Sequence, residues 1–170
     1  MATALTETGL FLNRILGLEP STSSPATTPA QTSPARKRAP AAEPAPSGIL
    51  RADTVVGLLL EGLPVRSFQV LCDAFQLPRE RMAEAVGIAP RTLARRKVFK
   101  PDESERIFRF GRVFQDAVDL FNGNEGEARA WLLQPQFGLG GAIPLEFART
   151  EPGAQEVRSL IGRLNEGIFA

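Results

Sequence analysis

Residues 104–121 read SERIFRFGRVFQDAVDLF, and the fold turns on this stretch. Ile107, Phe110, Phe114, Val118 and Phe121 recur at steps of three and four, the spacing of one helix face. Phe108, Gly111, Val113 and Leu120 add apolar or small groups off that stripe. A surface helix shows one apolar stripe; a helix that is apolar over most of its circumference has to be covered by more than one neighbour. The stretch therefore predicts a central, buried helix, capped by Ser104 or Asp102 and ended by the turn Asn122-Gly123-Asn124. Packing is its main role, so function is expected in the segments on either side. Phe110, Phe114 and Phe121 are also expected to contribute to a homodimer interface, each worth about 1.5–3 kcal/mol when fully buried.

Upstream, Ala52–Glu61 and Val65–Phe75 have helical apolar spacing, with Gly62 and Pro64 as punctuation between them. Pro78 is placed to open a further helix, with Met82, Ala85 and Val86 facing inward. Gly87 ends it, and Pro90 opens a second short helix, PRTLARRK. Two short helices joined by a tight glycine-containing turn form a helix-turn-helix. Ala83 permits a close crossing, and Ile88 and Leu93 anchor the pair to the core. Arg91, Thr92, Arg95 and Arg96 are expected to face outward, where the second helix of this motif meets base edges in the major groove. Lys97, with Lys100, Arg79 and Arg81, is placed by charge to hold phosphates. Ala89 is a weak N-cap where Ser or Thr is usual. Residues 78–100 carry seven basic side chains against two acidic, and residues 101–170 seven against eleven. A basic block beside an acidic one suggests a polyanion for the first and a different partner for the second.

Downstream, Glu125–Leu133 reads as a short helix. The loop QPQFGLGGAIP follows, with Gly138, Gly140 and Gly141. It lacks the Lys-Ser/Thr ending of a P-loop and follows no strand, so it reads as a tight turn on a packed surface. Pro144–Ala148 is a short helix. Thr150 caps the last one, which has Val157, Leu160, Ile161 and Leu164 on one face and Gly167 at its C-terminal end. Chain ends are usually polar, yet here Phe169 stands next to the terminal Ala170. It either tucks into its own fold or enters another protein.

At the other end, residues 4–18 form a short amphipathic segment, too short to be stable unless it docks on its own domain or on a partner. Seven of the 14 prolines fall within residues 19–48, which read as a disordered linker. Arg36-Lys37-Arg38 within it reads as a solvated basic run. The division is thus a low-complexity tail at 1–48, a helix-turn-helix module at 49–103, and a central helix with a C-terminal module at 104–170, all-α throughout.

The sequence has no His, no Tyr and one cysteine, Cys72, within an apolar run. The usual acid–base and nucleophile partners are missing, so no enzyme, catalytic residue, metal site or cofactor is expected. A single cysteine permits no intrachain disulfide, which fits a reducing compartment and a cytoplasmic protein. No run approaches a membrane span, and the N-terminus lacks a signal-peptide pattern.

Taken together, AEAVGIAPRTLARRK, SERIFRF, FNGNEGEARAWL, PQFGLGGAIPLEFA, TEPGAQEV and the ending GRLNEGIFA, in that order, resemble the Xre/MbcA/ParS antitoxin family. The resemblance covers residues from about 57 to 170. It implies an all-helical, dimeric antitoxin that blocks the active-site entrance of an NAD-degrading RES-domain toxin, and that in many cases binds operator DNA to repress its own operon. Carried over by position, it implies toxin contacts from Phe137, Gly140, Gly141, Pro144, Arg163, Glu166, Gly167, Ile168, Phe169 and Ala170. It also implies DNA contacts from Arg91, Thr92, Arg95 and Arg96, to which the charge reading adds Lys97. The alternative is a stand-alone helix-turn-helix regulator whose C-terminal module serves dimerisation.

Overall fold

The central helix, α6, spans Pro101–Leu120 and starts three residues before Ser104. Pro101 supplies the preset φ of a first helical residue. The caps expected at Ser104 and Asp102 are corrected: the Lys100 N–H is satisfied by Glu103 Oε2 at 2.8 Å. Ser104 is instead buried, its hydroxyl accepting from Leu63 N–H at 2.9 Å and donating to Lys100 O at 2.8 Å.

The computed structural model describes residues 11–18 and 52–167. In chain order the helices are α1 (residues 11–15), α2 (Ala52–Glu61), α3 (Val65–Phe75), α4 (Arg79–Val86) and α5 (Pro90–Arg95). After α6 come α7 (Glu125–Leu132), a 3-10 turn (Phe137–Leu139), α8 (Pro144–Phe147) and α9 (Glu151–Asn165). No strand forms among the described residues, which carry only the isolated bridges Pro64–Val98 and Gln136–Ala142. None of the described helices is long and apolar enough to cross a membrane.

The apolar circumference of α6 is covered as its composition requires, by α2, α3 and α4 from one half and α7 and α9 from the other. Phe110 and Phe114 are each 1% exposed. Phe114 packs between Phe75 (ring centroids 5.0 Å) and Phe11 (5.2 Å). These two rings are consumed by the chain's own core, so they do not offer the dimer face expected of them; Phe121 is half-buried. Arg129, on α7, donates to Ala74 O at 2.7 Å and ties α7 to the end of α3. Arg109, on α6, reaches Glu151 at 2.6 Å and holds the start of α9.

Residues 11–18 dock on their own domain. Ile15 and Leu16 are buried, and Ile15 occupies a notch over Gly111, where any side chain would run into its Cδ1. Arg66 donates to Gly17 O at 2.7 Å and pins the segment's end beside α3. The amphipathic segment anticipated at 4–18 is thus core for its later half; residues 4–10 lie outside the described residues, as do 19–51, with Arg36-Lys37-Arg38, and 168–170.

Candidate functional site

Two surfaces carry the residues singled out by the sequence. The first is the α4–α5 unit. α4 ends at Gly87, whose φ of +71° takes the left-handed turn that glycine adopts without strain. Ile88 N–H then closes the turn on Ala83 O at 2.9 Å. Ala83, Ile88 and Leu93 are buried and hold the pair to the core. α5 starts at Pro90, and its N-cap, Ala89, makes no side-chain cap. Leu93 faces inward, so Arg91 and Arg95, four residues apart, share the outer face. Both are exposed and have no ion pair among the described residues. Thr92 is half-buried beside them.

Arg96 departs from the expected outward placement. The helix ends at Arg95, not Lys97, so the backbone of Arg96 is extended (φ −101°, ψ 150°) and its side chain turns back. Its Nη1 donates to both oxygens of Glu103, at 3.0 and 2.7 Å. Glu103 is buried and also caps α6, so one carboxylate joins the end of the second helix of the pair to the start of the central helix. Lys97 and Lys100 are exposed and have no ion pair among the described residues. Arg79 lies over the Phe68 ring, 5.9 Å from its centre. Arg81 is taken up by Glu84 (2.7 Å) and by Glu146 of α8 (3.8 Å). On and just after this pair of helices, the exposed cations without acidic partners among the described residues are therefore Arg91, Arg95, Lys97 and Lys100, with Arg79 beside them. The 97–99 segment is stitched to the α2–α3 junction by Val65 N–H to Lys97 O (3.0 Å) and Phe99 N–H to Leu63 O (2.9 Å).

The second surface is the loop between α7 and α8 together with the end of α9. Gln136 closes the loop: its N–H donates to Ala142 O at 3.0 Å, its O accepts from Gly141 N–H at 2.9 Å, and its Nε2 donates to Trp131 O at 2.8 Å. Gly140 and Gly141 have φ of +65° and +84°, so the loop needs glycine there for conformation, not for a phosphate. Gly138 lets the turn press on α9, since a methyl would stand 2.5 Å from Leu160 Cδ1. Leu139 points in and Phe137 points out, 89% exposed. A loop closed by these hydrogen bonds thus displays an aromatic ring to solvent, while its Gly138 lies against Leu160 of α9. Gly167 lies two residues past the end of α9, with φ of +72°.

The remaining residues of this surface divide. Pro144 starts α8 and is buried, so it shapes the loop and offers no contact area. Arg163 is half-buried and pairs with Glu156 at 3.3 Å. Glu166 and Gly167 are exposed at the end of α9. Ile168, Phe169 and Ala170 lie outside the described residues. The exposure of Phe137 could not be read from composition, because a phenylalanine between prolines and glycines predicts burial as readily as display. Cys72 is buried, and burial pushes its thiol from 9.0 up to about 11, against a smaller opposing pull from Arg79. Among the described residues no three His, Cys, Asp or Glu gather as a metal site.

This architecture agrees with what the chain is similar to. The antitoxin Xre-like helix-turn-helix domain matches residues 55–112. The antitoxin Xre/MbcA/ParS C-terminal toxin-binding domain matches residues 116–167, so the two matches meet within α6. An antitoxin Xre of Yersinia enterocolitica is 47% identical over 98 residues, covering 55% of this chain and 66% of that protein. An antitoxin Xre of Photorhabdus laumondii is 40% identical over 117 residues, covering 66% of this chain and 79% of that protein. With both halves matched in chain order and most of a named antitoxin covered, the chain belongs to the Xre antitoxin family.

Proposed function

We propose that this antitoxin neutralises an NAD-degrading RES-domain toxin by laying the 137–141 loop and the end of α9, with residues 166–170, across the toxin's active-site entrance. We further infer that α4–α5 of a homodimer binds operator DNA and represses the antitoxin's own operon in the cytoplasm. The antitoxin acts by binding and not as an enzyme, so it needs no cofactor.

The observation that carries the toxin half is Phe137. Aromatic side chains anchor interfaces because they bury a large area with little loss of conformational freedom. A ring that is 89% exposed on a loop closed by backbone hydrogen bonds is preorganised for such a pocket. The DNA half is supported by Arg91, Arg95, Lys97 and Lys100, exposed on and just after α5. In a dimer two such helices about 34 Å apart would match a palindromic operator.

Co-expression with a RES-domain toxin tests the first half. The full chain is expected to protect cells and their NAD pool, and deletion of Glu166–Ala170 is expected to abolish protection while helicity stays unchanged. Full protection by the truncated chain would refute a role for the tail.

A further inference from the structure

Residues 11–18 lie outside the stretches that the two family domains match, yet they complete the core of this chain. Ile15 and Leu16 are buried, and the Phe11 ring lies against Phe114. Their docking is nevertheless open to release. α1 has five residues, too few to hold as a helix on its own. Asn13 Oδ1 is buried with no hydrogen-bond partner among the described residues, and a stranded acceptor costs its lost hydration. The segment is joined to α2 only through residues 19–51, so it can leave its seat as a local opening without unfolding the other helices.

What the segment leans on bears on the α4–α5 surface. Arg66 donates to Gly17 O at 2.7 Å, and a Cβ at Gly17 would stand 3.0 Å from Arg66 Nη2 and 3.1 Å from Pro64 Cγ. Pro64 is in turn bridged to Val98, Val65 N–H donates to Lys97 O at 3.0 Å, and Phe99 N–H donates to Leu63 O at 2.9 Å. Gly62 is as close, since any side chain there would run into Phe99 O. Phe99 is buried, with its ring centre 6.4 Å from that of Phe68. Residues 62–66 and 97–99 thus form one unit. Gly17 packs against it, and the exposed Lys97 and Lys100 lie within it and next to it in the chain. The 137–141 loop packs on α9 instead, at Leu160.

We propose that residues 11–18 are a detachable brace for the DNA-facing cations. Docked, they fix the 62–66 corner and so hold Lys97 in place; released, they leave it free to move. A cation held in place meets a phosphate without first being ordered, so docking raises operator affinity. The inference rests on the DNA half of the proposed function and adds to it a segment that is no part of the helix-turn-helix. Ile15 and Gly17 become positioning residues, acting through Pro64 and Arg66.

Two measurements on the full chain test this together. Amide hydrogen exchange reports docking through the N–H groups of Leu16, Gly17 and Leu18, which donate to the carbonyls of Leu12, Arg14 and Asn13. Titration of a duplex from the promoter of its own operon, over a salt series, reports affinity and the phosphates held. In the wild type those three amides are expected to exchange faster than the amides of α6. Ile15→Asp is expected to leave them unprotected while α6 stays protected, and to raise the operator Kd at least ~10-fold. It should also make the salt slope shallower by about one, as the Lys97 contact is lost. Ile15→Leu conserves apolar volume and is expected to keep wild-type affinity and slope. Gly111→Leu releases the segment from the α6 side, because its own side chain takes the notch that Ile15 fills. Wild-type affinity and slope in a variant whose segment is undocked would overturn the brace while leaving operator binding intact. A wild type that binds no operator duplex would overturn the DNA half of the proposed function, and the brace with it. Loss of α6 protection in both variants, or amides at 16–18 that exchange only with global unfolding, would show the segment to be integral core and would also overturn the proposal.

Discussion

The docking of Ile15 over Gly111 makes a prediction that can be worked through a double-mutant cycle. Ile15 is fully buried, so Ile15→Ala removes apolar contact and leaves a void, at a cost of about 2–5 kcal/mol. Gly111 lies in the middle of α6, and Gly111→Ala should gain about 1 kcal/mol of helix propensity. In the wild type that gain is opposed, because the added methyl runs into Ile15 Cδ1 and overpacking costs about 1–3 kcal/mol. The net change ranges from near zero to a loss of about 2 kcal/mol. With Ile15 already shortened to alanine, the methyl enters vacated space and the propensity gain stands alone. The two substitutions should therefore couple favourably by about 1–3 kcal/mol. Urea unfolding of the full-length chain and its three variants, followed by far-UV circular dichroism with a common m-value, measures each corner. The reasoning is refuted if Ile15→Ala costs under ~0.5 kcal/mol, or if the two effects add within that margin as independent sites do.

Other expectations follow from the same contacts. Arg95→Ala should weaken operator binding by about 1–3 kcal/mol without changing stability, whereas Arg96→Ala should lower the melting temperature, because it strands the buried Glu103; equal losses of affinity in a gel-shift titration at fixed salt would contradict this split. If Arg91, Arg95, Lys97 and Lys100 neutralise about four phosphates, log affinity should fall with log salt at a slope near −3.6, and Lys97→Ala should make that slope shallower by about one. Burial raises the folded pKa of Cys72 above its unfolded value, so its contribution to stability is complete below pH 9.0 and lost as pH rises through about 11. A melting temperature that falls over that window no more steeply than in Cys72→Ala would contradict it. The same thiol should resist alkylation at neutral pH until the chain unfolds.

Most of the helical framework was legible because its punctuation is chemical. Gly87 and Asn122-Gly123 mark positive φ, Pro90 and Pro144 mark first turns, and Asn124 and Thr150 accept hydrogen bonds from the helix N-termini they precede. Pro101 carries the same signal as Pro90, yet the serine and aspartate after it suggested a later start. The deciding group was Glu103, reaching back to the Lys100 N–H. Arg96 was misplaced for a related reason: a helix carried two residues too far turns a strut into a reading residue. The apolar spacing of Ala52–Glu61 marked a helix but not its exposure: none of its residues is buried, and Val56 and Leu60 face solvent. That Phe114 is covered by Phe11 needed a contact across more than a hundred residues, which no local pattern encodes.

The central claim is that the exposed end of the C-terminal module, led by Phe137, engages the toxin. The most direct test is the affinity of the full chain for a purified, catalytically silent RES-domain toxin, with and without Phe137→Ala. An anchor residue should lose at least about 2 kcal/mol, roughly a 30-fold rise in Kd, with unchanged helicity and melting temperature. Binding by Phe137→Ala as tight as that of the wild type would contradict the account.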